Sequence, residues 1–141
     1  MSNLSNIEQM KIFDAKQSVT GKIFDFIIEE GKVGIQGYYD RPGREKVIIP
    51  NFVSFFRNRD EVNIFMDCKY VNYLHFEENI EGSLTRLFNQ FKGDKLSLDI
   101  DTRNITDMDS MFTACRAKEI DLGNKFDTSN TTTMQCMFSV C

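Results

Sequence analysis

The chain has no tryptophan, one histidine and two prolines in 141 residues. A single histidine excludes a metal site built from a histidine cluster, and any histidine-based catalytic triad would depend on His75 alone. No pair of the four cysteines forms a Cys-x-x-Cys, so neither zinc nor any other metal or cofactor is expected. No apolar run reaches the ~18 residues that a membrane-spanning helix needs. The longest apolar cluster, Ile23 to Ile28, is cut by Asp25. The opening segment has neither a basic stretch nor a long apolar core, so no secretory signal is read. A cytoplasmic location is therefore expected, with the cell surface as the alternative if the chain is a trimmed piece of a longer protein. Basic excess is missing too: 17 Lys and Arg stand against 21 Asp and Glu, for a net charge of −4. Direct nucleic-acid binding is not expected from such a balance. P-loop, GxGxxG, HExxH and GxSxG motifs are all lacking, so the chain is not read as an enzyme.

What is present is phenylalanine, 13 residues of it, and methionine, 7 residues. Leu4, Ile7, Met10 and Phe13 recur at every third position, which predicts a short helix over the first twenty residues or so. It reads as a cap over the end of the core, or else as an arm that grips a partner. From Lys22 to Glu30 the period changes to alternation, a strand pattern ended by Gly31. Val33, Ile35 and Tyr39 carry the next strand, which makes a hairpin. Asp40-Arg41-Pro42-Gly43 signals a turn, and Val47 to Ile49 a short strand stopped by Pro50.

Beyond this point the sequence repeats. Phe65, Phe88, Phe112 and Phe138 each follow an apolar residue and precede Cys68, Phe91, Cys115 and Cys141 by three positions. The phenylalanines are spaced by 23, 24 and 26 residues. Leu84, Met108 and Met134 stand four positions ahead of the phenylalanine, where the first unit has Glu61 instead. Alternating segments lie between them: Leu96 to Ile100, Ile120 to Leu122, and a looser Val71 to Phe76. A period of ~20–29 residues, with one strand and one helical or 3₁₀ turn per unit, predicts a leucine-rich-repeat solenoid with parallel strands. One such unit cannot bury its own apolar face, so units stack into a shared core. The expected organisation is a helical segment and linker over 1–21, a β-hairpin and capping unit over 22–50, and the repeat array over 51–141. Phe65, Phe88, Phe112 and Phe138, with Cys68, Cys115 and Cys141, are expected to form internal ladders. Packing then explains those thiols, and free buried cysteines are preferred over two disulfides. Cys136 falls outside the ladder and reads as the most exposed thiol.

Ile120-Asp121-Leu122, Phe126-Asp127-Thr128-Ser129-Asn130, Met134 and Met137-Phe138 with Cys141 resemble the repeat of BspA-like leucine-rich-repeat proteins of bacterial and protist surfaces. Leu96 to Cys115 is similar, and the segments from Val33 to Tyr39 and from Lys46 to Pro50 resemble the opening unit of that family. The resemblance covers about residues 31–141, and it implies a repeat solenoid that binds other proteins.

The candidate binding residues are acidic. With Leu96, Leu98 and Ile100 pointing inward, Asp99 points outward on the concave strand face, as Asp121 does beside Ile120 and Leu122. Asp99, Asp101, Glu119 and Asp121 are thus expected to form an acidic stripe, either a solvated face or a dock for a basic partner protein. No calcium loop of DxDxDG type accompanies them. Arg41, Arg44, Lys46, Arg57 and Arg59 form a basic stretch around the first turns. The chain stops at Cys141 inside a repeat, and an unclosed solenoid end is expected to expose core side chains and invite self-association. The functional expectation is a non-catalytic protein-binding module. The alternative is a small intracellular, phage-type inhibitor that blocks a nucleic-acid-processing or defence enzyme with its acidic stripe.

Overall fold

The computed structural model describes residues 4–58 and 63–140. Helix α1 (Asn6–Thr20) begins at Ser5, whose hydroxyl accepts from the Glu8 N–H at 3.1 Å while Glu8 Oε1 accepts from the Ser5 N–H at 3.1 Å. This reciprocal box satisfies two of the unpaired donors at the helix start. The helix packs Ile7, Met10 and Phe13 against the core, and the Phe13 ring lies 5.6 Å from Phe26 and 5.8 Å from Phe52.

Strands β1 (Phe24–Glu29) and β2 (Lys32–Tyr38) form an antiparallel hairpin closed by Glu30 and Gly31. Both turn residues have positive φ, 51° and 75°, the arrangement that matches the twist of paired strands. The outer edge of β1 is capped at its first residue by α1. Gln17 is 2% exposed, and its Oε1 accepts from the N–H groups of Ile23 and Phe24 at 2.9 and 3.1 Å. Its Nε2 donates to the Phe24 carbonyl at 2.7 Å. One side chain therefore does for the start of this edge what a further strand would do.

The rest of the chain winds as a β-solenoid of about four turns. Its first wall is a parallel sheet of β3 (Lys46–Ile49), β5 (Tyr73–Phe76), β7 (Lys95–Asp99) and β9 (Glu119–Asp121), in that order. A second wall holds β4 (Val53–Phe56), which pairs in parallel with β2, and then β6 (Gly82–Ser83) and β8 (Ile105–Asp107), extended by a bridge from Asp107 to Thr133. Sequence reading missed this second wall, because strands of two to four residues are too short to show alternation.

The Phe-centred segments make the third wall. The sequence predicts a helical or 3₁₀ turn in each; they are β-turns instead. Arg86 and Gln90 flank Phe88 with φ of 58° and 59°, Ser110 and Ala114 flank Phe112 with 55° and 57°, and Cys136 and Val140 flank Phe138 with 56° and 58°. A left-handed residue on each side prevents any helix from propagating. Backbone donors alternate instead. Leu87 and Asn89 donate within the turn, while Arg86, Phe88 and Gln90 donate to Asp109, Met111 and Thr113 of the next coil at 2.8–3.0 Å. These ties between coils compensate for conformations that cost about 1 kcal/mol or more apiece.

Inside, the four phenylalanine rings stack. Phe65 and Phe88 are 5.1 Å apart, Phe88 and Phe112 5.7 Å, and Phe112 and Phe138 5.2 Å, with interplanar angles of 12°, 3° and 6°. Tyr38 of the hairpin continues the column, 5.0 Å from Phe65. Cys68 and Cys115 are buried beside it, and Phe91 takes the equivalent place in the coil between them. Cys136 is exposed, and Cys141 lies outside the described residues. Thr102, fully buried, fastens two coils: its hydroxyl donates to the Asp127 carbonyl at 2.9 Å and accepts from the Asp127 N–H at 2.6 Å.

Candidate functional site

The parallel register of the first wall lines up its outward residues in rows. Lys46, Tyr73, Ser97 and Asp121 form one row, and Ile48, His75 and Asp99 the next, while Lys95 stands beside Glu119. The inward residues Val47, Leu74, Leu96 and Leu98 are buried, so this side faces the core and the rows face solvent.

Asp99 is the centre of the face. His75 Nδ1 lies 2.9 Å from its Oδ2 and 3.0 Å from its backbone carbonyl. Two acceptors at that nitrogen assign a ring proton to Nδ1. The Tyr73 hydroxyl donates to Asp99 Oδ2 at 3.3 Å, and Lys125 Nζ sits 3.5 Å from Oδ1. Tyr73 and His75 stack with centroids 6.5 Å apart. Partial burial works against ionisation of Asp99, but Lys125 and His75 beside it, together with hydrogen bonds from Tyr73 and Lys125, outweigh it and hold the carboxyl below its ordinary range. Partial burial, and then the Asp99 charge, push the Tyr73 phenol upward.

The remaining carboxylates are also engaged. Asp101 pairs with Arg103 at 2.7 Å and accepts from its backbone N–H at 3.1 Å. Glu119 meets Lys95 at 3.2 Å, and Asp121 accepts from the Gly123 N–H at 2.9 Å. The four residues read from the sequence thus lie on or beside one sheet, but in a mixed-charge face. Asp99 and Glu119 find their partners in other coils or far along the chain, where a single sequence offers no sign of pairing, while Asp101 and Asp121 are held by groups two residues on. His75 and Tyr73 were missed as site residues for the same reason.

At the β3 end of this face, α1 leaves a groove of about 490 Å³ lined by Leu4, Ile12, Phe13, Ile48, Pro50 and Phe52. In the basic stretch, Arg57 pairs with Glu29, and Arg44 donates to the carbonyls of Lys22 and Tyr39. Arg59 lies outside the described residues. Among the described residues no three His, Cys, Asp or Glu side chains gather as a metal would need, and no helix is long and apolar enough to cross a membrane.

Residues 62–141 match the profile of DUF285, a family described as a Mycoplasma protein of unknown function. The chain belongs to this family. The matched stretch holds the coils from β5 onward and all four ladder phenylalanines, whereas α1 and the hairpin lie ahead of it. No curated protein and no solved structure matches the chain.

Proposed function

We propose that the chain is a non-catalytic protein-binding module and that the outward face of the first wall is its contact surface. The supporting observation is the fixed geometry of that face. Asp99 is held from three sides by His75, Tyr73 and Lys125, and Asp101 and Glu119 each have a cation within 3.2 Å. Side chains held in place before contact lose less freedom on binding, which favours recognition of another protein. We further assign the coils to the leucine-rich-repeat class of BspA-like proteins, on the strength of the Asp-Thr-x-Asn segments at Asp101 to Asn104 and Asp127 to Asn130 and the Met-Phe turns that follow them.

A photo-crosslinking residue placed at the exposed Ser97, in the middle of the face, tests this reading in the source cell. The expected result is a discrete protein adduct that weakens when Asp99 and Asp121 are changed to Lys. The same crosslinker at Arg86, on the third wall, should give none. Equal adducts from both positions, or none from Ser97, would reject the assignment.

A further inference from the structure

The first wall ends at β3, which pairs with β5 and with no other strand. The Glu45 and Ile49 carbonyls accept from the Tyr73 and Glu77 N–H groups, both at 3.2 Å. Successive residues of a strand send their backbone groups to opposite edges, so Lys46 and Ile48 send theirs away from β5. Among the described residues, no hydrogen bond reaches those outward N–H and C=O groups. Such an edge is a template for another extended chain. Helix α1, with Leu4 ahead of it, forms the other bank of the groove beside Ile48. Leu4, Ile12 and Ile48 are 43%, 46% and 49% exposed, so both banks are apolar and uncovered. Exposed Lys16 stands on the helix bank and exposed Glu77 on the strand bank, and neither is in an ion pair among the described residues.

We infer that this groove takes an extended, apolar segment of a partner protein, which adds to the first wall as a further strand along β3. Ile48 continues the row of His75 and Asp99, so the inference rests on the contact surface proposed above and names what that surface grips at its edge. The unpaired backbone groups of Lys46 and Ile48 call for a chain with its own free N–H and C=O groups, and the apolar banks call for apolar side chains on it. One acidic and one basic side chain on the segment complement Lys16 and Glu77. The size agrees. A groove of about 490 Å³ lies within the range of about 300–1,000 Å³ that holds small ligands, so it admits a few residues of a single chain rather than a folded domain. A lipid tail would cover the banks but leave the edge groups unpaired, and a phosphate polymer would bring charge to apolar walls.

The test is fluorescence anisotropy of the full chain with a labelled peptide, Thr-Val-Glu-Val-Lys-Val-Thr, which alternates apolar residues with one acid and one base. The chain should bind it. Two further peptides carry methyl groups on the backbone nitrogens of the valines, or of the residues between them. Only one edge of the peptide can meet β3, so one methylated form should lose binding and the other should stay within about threefold of the parent. The combined Ile12→Glu and Ile48→Glu variant should lose at least about tenfold in affinity. Val19→Glu, at an 86% exposed position of the same helix, should bind as the unmodified chain does. The methylated pair decides the matter even if the double variant melts early by circular dichroism. No binding by the unmodified chain, equal binding of the two methylated peptides, or equal loss in the double variant and Val19→Glu would each overturn the inference. So would a concentration-dependent dimer in sedimentation that the double variant abolishes, since a second copy would then be the occupant. A Ser97 adduct that persists unchanged in the double variant would overturn this inference alone, whereas no adduct from Ser97 in the unmodified chain rejects the contact surface itself.

Discussion

Replacing Phe88 by Ala should destabilise the fold far more than replacing Phe138 by Ala, although both sit at the same place in their repeats. Phe88 is fully buried, stacked on Phe65 and Phe112 at 5.1 and 5.7 Å and met edge-on by Phe91 at 5.7 Å. Truncating a phenylalanine in such a site costs about 3–5 kcal/mol, the sum of lost transfer energy and the cavity left behind. Phe138 is 50% exposed and, among the described residues, stacks on Phe112 alone. Burying a whole phenylalanine is worth about 1.5–3 kcal/mol, so half of it contributes about 1–1.5 kcal/mol, and no enclosed cavity forms. The two variants should therefore differ by about 2 kcal/mol or more. Phe88→Leu isolates the ring contacts: most of the volume remains, but three aromatic pairs worth roughly 0.5–1.5 kcal/mol each are lost, so a cost of about 1.5–4.5 kcal/mol is expected. Urea unfolding followed by far-ultraviolet circular dichroism measures all three from their midpoints, provided the slope with denaturant stays constant. Equal losses for the two Ala variants would refute the ladder as an energetic unit. A smaller slope for Phe88→Ala alone would show instead that the array separates into independently melting parts.

Gln17→Leu keeps the helix and much of the volume but leaves the Ile23 and Phe24 N–H groups and the Phe24 carbonyl without partners. A loss of about 2–4 kcal/mol by urea unfolding is expected, and one below about 1 kcal/mol would mean that water reaches this edge. Asp99→Asn should be destabilising at neutral pH and nearly neutral in acid. The folded-state carboxyl of Asp99 titrates below its ordinary value of about 3.9, so its contribution is present above that value and disappears as pH falls through the lower folded-state value. Stability differences between Asp99→Asn and the parent that stay constant from pH 7 to pH 3 would contradict the pairing with Lys125 and His75.

The solenoid itself was legible because its driving force repeats: an apolar residue before each ladder phenylalanine and a small or aromatic one three places after it can only be buried by stacking. The shape of the turns was not. The left-handed turn residues are Asp67, Arg86, Gln90, Ser110, Ala114, Cys136 and Val140, and of these only Asp67 has a side chain that favours that region. The conformation is imposed by bonds to the neighbouring coil, such as Arg86 N–H to the Asp109 carbonyl, and such bonds exist only once the coils have stacked. The cations set among the acidic residues were not legible for a related reason. Four carboxylates are visible along the chain, but Asp99 and Glu119 find His75 and Lys95 only through register between parallel strands more than twenty residues apart, whereas Asp101 and Asp121 are met by Arg103 and the Gly123 N–H two residues on. Gln17 carried no signal at all, since a glutamine inside a helix is ordinarily a solvated residue.

The coil is a ruler whose arms can be compared along one register row of the first wall. From ladder ring to strand the step is equal for Phe88 to Ser97 and Phe112 to Asp121 and one residue shorter for Phe65 to Tyr73. From strand to ring it is equal for Tyr73 to Phe88 and Ser97 to Phe112 and two residues longer for Asp121 to Phe138. The two residues that lengthen the last repeat therefore lie ahead of Thr133, which is in register with Asp107, at the corner between the first two walls, and neither the sheet register nor the ladder is broken by them. Insertions there change what the molecule displays and leave what it stands on untouched. New loops grafted at that corner, rather than at the turns that carry Phe65, Phe88 and Phe112, are the changes this architecture absorbs at least cost.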